Sequence, residues 1–193
     1  NGDNSLEEMK DCYSRRGIDV AAISNYFQAT PGEDLRVYEH GINLSKTHKL
    51  AINPAGELYF DYAVYQNTSQ KQDIISRLRK KDALVVVAHP NMRNGHTLED
   101  MTHLVEYHFT EIRSYYAYAE KYWDAALQSG KLSWLMVNDD SHGVQKQLPG
   151  RFYNVVFTSS KDSLLPAMLA GRVGWFHVPL DELRMAEAVE CLV

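Results

Sequence analysis

The sequence predicts an α/β fold formed by a single domain over residues 1–193. Three observations predict it. The chain has 193 residues, of which 45% are hydrophobic and 23% charged, enough for one proper core and too few for two comfortable ones. Short apolar runs alternate with amphipathic helical stretches along most of the chain, the pattern of parallel βαβ units. No Gly-rich phosphate loop follows any of the apolar runs, so a barrel or a doubly wound sheet fits better than a dinucleotide-binding fold.

The elements follow in order. Ser5-Leu6-Glu7-Glu8 has the spacing of a capping box, which opens a helix to about Arg16, with Gly17 suited to its C-terminal cap. Ile18–Ser24 reads as a buried strand, and Asn25–Leu35 as a loop broken by Pro31-Gly32. Arg36–Tyr38, Ile42–Leu44 and Lys49–Ile52 are strand-like, and Asn53-Pro54-Ala55-Gly56 is a turn. Ser69 caps a helix to about Lys81 that turns Ile74, Ile75 and Leu78 inward. Ala83–Ala88 is the most apolar strand and stops at His89-Pro90. A loop at Asn91–His96 leads to a helix from about Thr97 to Tyr107, a strand at Phe109–Arg113 and a helix from about Ala117 to Ser129. Strands at Trp134–Val137, Phe152–Thr158 and Val173–His177 follow, with one helix from Ser160 to about Ala170 and another after Pro179.

A net charge of -5 argues against a nucleic-acid surface, which needs a basic stripe. It leaves room for a phosphate ester, because a metal ion supplies positive charge locally. The two cysteines, Cys12 and Cys191, have neither metal-like spacing nor a disulfide framework. No run approaches a membrane span. Neither nucleic acid nor a membrane is therefore expected as a partner, and a small phosphorylated substrate is not excluded. The chain starts at Asn1 rather than Met, so processing or trimming of its N-terminus is expected.

Several predicted strands end in groups that bind metals. Trp134–Gly143 begins apolar and ends in Asp139, Asp140 and His142. In extended chain, Asp140 and His142 would point to one side. His89 ends the Ala83–Ala88 strand, Glu39 follows Val37-Tyr38, and His48 precedes Leu50. Strand ends of a barrel converge on one face although far apart in sequence. Oxygen and imidazole donors without thiolate suit zinc, manganese or iron. Arg93, in the loop after His89-Pro90, is a candidate phosphate binder, as are Lys46 and Arg151 on weaker grounds. His40 and Glu111 are weighed as neighbours of such a site. His96, His103, His108 and His177 have no metal-like partner and read as structural or surface residues. Tyr115, Tyr118 and Tyr122 fall at helical spacing, which favours core packing over a stacking face. No serine sits in a nucleophile elbow, so no Ser-His-Asp triad can be drawn.

Taken together, these phrases resemble the PHP (polymerase and histidinol phosphatase) domain family. Gly17–Ser24, Tyr38-Glu39-His40-Gly41 with His48, Val87-Ala88-His89-Pro90, Asp140-Ser141-His142 and Leu169-Ala170-Gly171-Arg172 carry the likeness, in the family's order and spacing. The resemblance implies a distorted (β/α)7 TIM-like barrel with its first strand missing or incomplete. It implies hydrolysis of a phosphate ester through a metal-activated water, with metal roles for Glu39, His48, His89, Asp140 and His142. It also marks departures. The family's opening His-x-His pair is not in the chain, and Asn25-Tyr26 stand where the family carries Asp-His. Fewer ions than the full family site are therefore expected. A catalytically degenerate protein that binds a ligand or partner is the alternative.

Overall fold

The computed structural model describes residues 2–31, 35–144 and 149–179, which fall into two compact units. One unit is Val20–Met136. The other comprises Gly2–Asp19 and the described residues from Val137 onward. The helix expected after Pro179 lies outside the described residues, as do Gly32 and Cys191.

The first unit is built on a five-stranded mixed sheet in the order β3-β4-β5-β6-β7. These strands are Val37–His40, Lys49–Ile52, Leu84–Val87, Phe109–Arg113 and Trp134–Val137. β3 pairs antiparallel with β4, and β4 antiparallel with β5, whereas β5 and β6 are parallel. The expected run of parallel βαβ units is thus corrected at its start: from β3 to β5 the chain doubles back within the sheet. Among the described residues β3 and β7 do not pair, and no closed barrel forms. Two short strands, β1 (Ser24–Asn25) and β2 (Gln28–Ala29), form a separate hairpin. Ile18–Ser24 is therefore not the buried strand that its composition suggests; Ile18–Ile23 is irregular and only Ser24 is extended into a pair. Ile42–Leu44 is likewise a loop, with both Ile42 and Leu44 exposed.

The core lies on one face of the sheet. Cross-strand register puts Tyr38, Ala51 and Val85 on a common side, and Val87 joins them two residues along β5. These pack with Ile74, Ile75 and Leu78 of α2 (Thr68–Arg79) and Met101 of α3 (Leu98–His103). Tyr122 and Ala126 of α4 (Glu120–Gln128) complete that core. The 3.6-residue period of α2 is legible in Ile74, Ile75 and Leu78, all 1% exposed or less. Its cap is Asn67 rather than Ser69, in a capping box with Gln70. Asp100 joins the helices: Lys71 Nζ and Thr68 Oγ1 both donate to it at 2.6 Å, and the Thr97 amide at 2.7 Å. Breaking such a buried pair from one side leaves an uncompensated charge, which costs more than the pair itself contributes.

In the second unit, α1 (Leu6–Arg15) begins with both capping-box bonds between Ser5 and Glu8, as the spacing requires. β8 (Phe152–Val156) and β9 (Val173–His177) form an antiparallel hairpin, and α5 (Leu164–Leu169) lies between them in sequence. Asp139 organises this unit. Its carboxylate accepts the Tyr13 hydroxyl at 2.9 Å, the amides of Arg151 and Phe152 at 3.0 and 2.8 Å, and the Gly150 amide. One acid of the 134–143 stretch is thus structural.

His108 shows how a histidine without a metal partner is used. Its Nδ1 accepts the Val85 amide at 3.0 Å, which only the neutral ring can do. Burial, with help from the Arg79 guanidinium, pulls its pKa down to about 4. Between about pH 6.5 and 4 the unfolded chain binds a proton there that the native state refuses, so native stability falls as pH falls through that window. Thermal melts across it are expected to show this fall, and His108→Gln to make it shallower; an unchanged slope would remove the assignment.

Candidate metal centre

The sheet register explains how three distant residues meet. Glu39 sits on β3 directly opposite Leu50 of β4, which in turn lies opposite Val86 of β5. His48 immediately precedes β4, and its carbonyl accepts the Ala88 amide at 3.2 Å. His89 is two residues beyond the end of β5. Antiparallel pairing therefore delivers the end of β3, the start of β4 and the end of β5 to one edge. Strict alternation would put His89 on the side of Val87, toward the helices. Its φ of 24° breaks the extended conformation there, a state that costs a non-glycine residue of order 1–3 kcal/mol. The imidazole instead reaches the Glu39 carboxylate.

His89 Nε2 lies 3.3 Å from Glu39 Oε1 and 3.2 Å from His48 Nδ1, while His48 Nδ1 is in direct hydrogen-bond contact with Glu39 Oε1. One donor atom from each residue falls within 4.8 Å of the others. Ligands about 2.1 Å from an ion and about 90–110° apart stand roughly 3.0–3.4 Å from each other; the two separations from His89 match this, whereas Glu39 and His48 stand closer, in hydrogen-bond contact, and part if an ion enters. Two imidazoles and one carboxylate, with no thiolate, suit zinc, manganese or iron. His48 and His89 are almost fully buried, and His48 Nε2 makes no hydrogen bond among the described residues.

The electrostatics favour a binding-ready state. Burial alone would raise the Glu39 carboxyl, but hydrogen bonds from His48 and His89 and their charge outweigh it, and its pKa falls to about 2. Burial lowers His48 against the pull of Glu39, so its ring stays neutral to below the usual 6.5. An ionised carboxylate and neutral imidazoles are the forms that ligate metals.

Sequence reasoning missed the residues that hold the His48 loop. Asn43 Oδ1 accepts the Thr47 amide at 3.0 Å and the Ser45 hydroxyl at 3.3 Å, while its amide donates to Asp61 at 3.3 Å. Asp61 also takes the Ile42 amide at 3.1 Å. The clue is an asparagine with Gly41 and Ser45 two residues to either side, a pattern of loops closed by side-chain bonds. Gly41, at φ 115°, passes so close to the His48 ring that a Cβ would stand 3.2 Å from Cδ2. Tyr26 pairs with Glu39 in an isolated parallel bridge and meets the His48 ring edge-on at 5.4 Å.

Asp140 and His142 lie in the second unit. Asp140 has a φ of 50°, so the chain there is not extended and the two-residue period does not apply; His142 Nδ1 faces the Asp140 carbonyl at 3.1 Å. Arg93 is exposed in a short 3-10 turn, Met92–Asn94. Arg151 faces His177 at 3.3 Å in the second unit. His40 is buried against Phe27, with Asp61 3.8 Å away. Glu111 is buried within β6. Tyr122 packs in the core as expected, but Tyr115 and Tyr118 precede α4 and are exposed, which corrects their assignment to the core.

Gly95 welds the Met92–Asn94 turn to the His48 loop. A Cβ at Gly95 would stand 2.6 Å from the Lys46 carbonyl oxygen and 2.8 Å from that of Ser45, both backbone atoms with little room to move. Gly95→Ala is therefore expected to displace the His48 loop and weaken zinc or manganese binding at least severalfold, read by titration calorimetry. Wild-type affinity in a folded Gly95→Ala protein would show that the loop does not position His48.

No family model matches the chain. A stretch of 27 residues is 78% identical to part of tRNA pseudouridine synthase A from Aromatoleum aromaticum; it covers 14% of this chain and 10% of that protein. In overall shape of the backbone, the chain is similar to the crystal structure of a two-domain protein from Bacteroides vulgatus that contains a predicted PHP-like metal-dependent phosphoesterase. The TM-score is 0.51 at 16% identity, over 73% of this chain and 44% of that one. The chain thus spans less than half of its structural neighbour, and the likeness is one of fold.

Proposed function

We propose that the chain is a PHP-like metal-dependent phosphoesterase that hydrolyses a small phosphate ester. The convergence of Glu39, His48 and His89 on one sheet edge carries this reading, and the fold likeness to a PHP-like protein supports it. In this reading the sheet belongs to a distorted (β/α)7 barrel with an incomplete first strand, within one domain over 1–193. Metal roles for Asp140 and His142 belong to the same proposal and rest on the Asp-Ser-His motif.

An ion of zinc, manganese or iron supplies Lewis acidity, which acidifies water and neutralises phosphate oxygens. The chain's own residues do the rest. Glu39, ionised down to about pH 2, offers one negative charge. Neutral imidazoles add none, so the triad taken by itself would leave a divalent cation one net positive charge toward a phosphate. Burial of His48 and His89 excludes competing water from their far sides. Arg93 is assigned to the phosphate oxygens.

Tyr26 favours a second reading, a binding protein without catalysis. Its ring packs edge-on to His48, where the resemblance would place an acid and an imidazole, and a neutral phenol is a weak ligand. Metal analysis of chelator-treated and reloaded protein, followed by turnover of an aryl phosphate with manganese or zinc, separates the two. Turnover supports the enzyme; bound metal without turnover leaves the binding protein.

Glu39→Gln is expected to weaken metal binding by tenfold or more while the protein stays folded by circular dichroism; equal affinity would sink the centre. His142→Ala is expected to lower metal content without lowering the melting temperature. Unchanged metal content with reduced stability would assign His142 to structure instead.

A further inference from the structure

Lys49 is a cation sealed inside the fold. In register it lies opposite His40 of β3 and Val87 of β5, so its side chain enters the helix side of the sheet, away from Glu39. It is 0% exposed. Its ammonium donates to the Thr47 carbonyl at 2.9 Å, its one hydrogen bond among the described residues, and no described carboxylate is in ion-pair contact with it. Asp100 is already taken up by Lys71, Thr68 and the Thr97 amide. Asp61 acts on Lys49 from beyond ion-pair distance and is itself held by the Ile42 amide and the side chains of Asn43 and Gln66. An ammonium buried without a counter-charge is costly, and one carbonyl does not satisfy its three N–H groups.

Two further buried donors stand beside it. Thr47 is 1% exposed, and its Oγ1 has no hydrogen-bond partner among the described residues. His96, also 1% exposed, has none at either ring nitrogen. The close approach of Gly95 to the Ser45 and Lys46 carbonyls sets His96, the next residue, against the backbone whose following carbonyl, that of Thr47, holds the Lys49 ammonium. Burial first, and then the charge of Lys49, keeps the His96 ring neutral, with one N–H to give.

We infer that Lys49, Thr47 and His96 form a binding site for one small monovalent anion, of the size and charge of chloride. The three groups offer a full positive charge and hydrogens to donate, which an anion accepts and a cation does not. Water satisfies the hydrogens but leaves the charge uncompensated, whereas one anion answers both. The near-zero exposure of all three residues leaves no face for an organic substituent, so the occupant is a single-atom ion. The site lies on the opposite side of the sheet from Glu39 and is distinct from the place of any substrate of the metal centre. Because Thr47 and Lys49 flank His48, an occupied site braces the segment that carries that imidazole.

The test is thermal unfolding of the full chain at fixed ionic strength in sodium chloride against sodium gluconate, whose anion is too large to enter. Chloride is expected to raise the midpoint in a saturable way, by roughly 3–6 °C at about tenfold above its half-maximal concentration. Lys49→Met, which keeps the length of the stem and removes the charge, is expected to abolish the difference; a chloride effect arising at the metal centre or on the surface survives that substitution. Wild-type crystals grown with sodium bromide are expected to show an anomalous-scattering peak at hydrogen-bond distance from Lys49 Nζ and the His96 ring, which keeps the inference falsifiable should Lys49→Met fail to fold. Equal midpoints in the two salts, a chloride effect retained by Lys49→Met, or bromide absent from this position each overturn the inference and leave the phosphoesterase reading as it stands.

Discussion

One carboxylate between two imidazoles is the contact on which the rest of the first unit depends. Glu39 cannot be buried as an anion without donors, and His48 and His89 provide them. His48 comes from the start of the adjacent β4 and His89 from the end of β5, one strand further. The antiparallel register of β3, β4 and β5 is thus a chemical requirement as much as a structural one. Slipping β4 by one residue would turn Leu50 to the helix side and carry His48 away from Glu39.

The two sides of the sheet divide the labour. The side of Tyr38, Ala51, Val85 and Val87 meets the helices and supplies cohesion through apolar burial. Glu39, Leu50 and Val86 face the other way, and the triad forms at their edge. The contrast between Asp100 and Glu39 shows the same economy. Asp100 is neutralised by Lys71 and by donors of two helices, a closed arrangement with nothing left to bind. Glu39 instead meets two imidazoles, groups able to bind a metal ion alongside it.

Much of this was legible in the sequence where one local rule decides. The Ser5–Glu8 capping box, the apolar stripe of α2, the strands at Lys49–Ile52 and Phe109–Arg113 and the pairing of Glu39 with His48 and His89 all follow from period or motif. The failures have physical causes. Ile18–Ser24 and Ile42–Leu44 are mostly apolar, yet among the described residues no neighbouring strand pairs most of their amides, and propensity without a partner does not make a strand. Tyr115 and Tyr118 share helical spacing, but the Arg113–Tyr118 bridge claims that segment before α4 can begin. Asp139 and Asp140 are alike in composition; only tertiary donors at Tyr13 and 150–152 separate a structural acid from its neighbour.

The approach of Gly95 to the Lys46 and Ser45 carbonyls has an evolutionary consequence. Two segments in backbone-on-backbone contact cannot accept insertions independently, since lengthening one pushes the other and the imidazole it carries. Sequence drift and loop growth in this unit are therefore channelled away from 43–48 and 91–96. The exposed 63–65 stretch, with Val64 and Tyr65 in solvent, is where descendants of this chain have freedom to diverge.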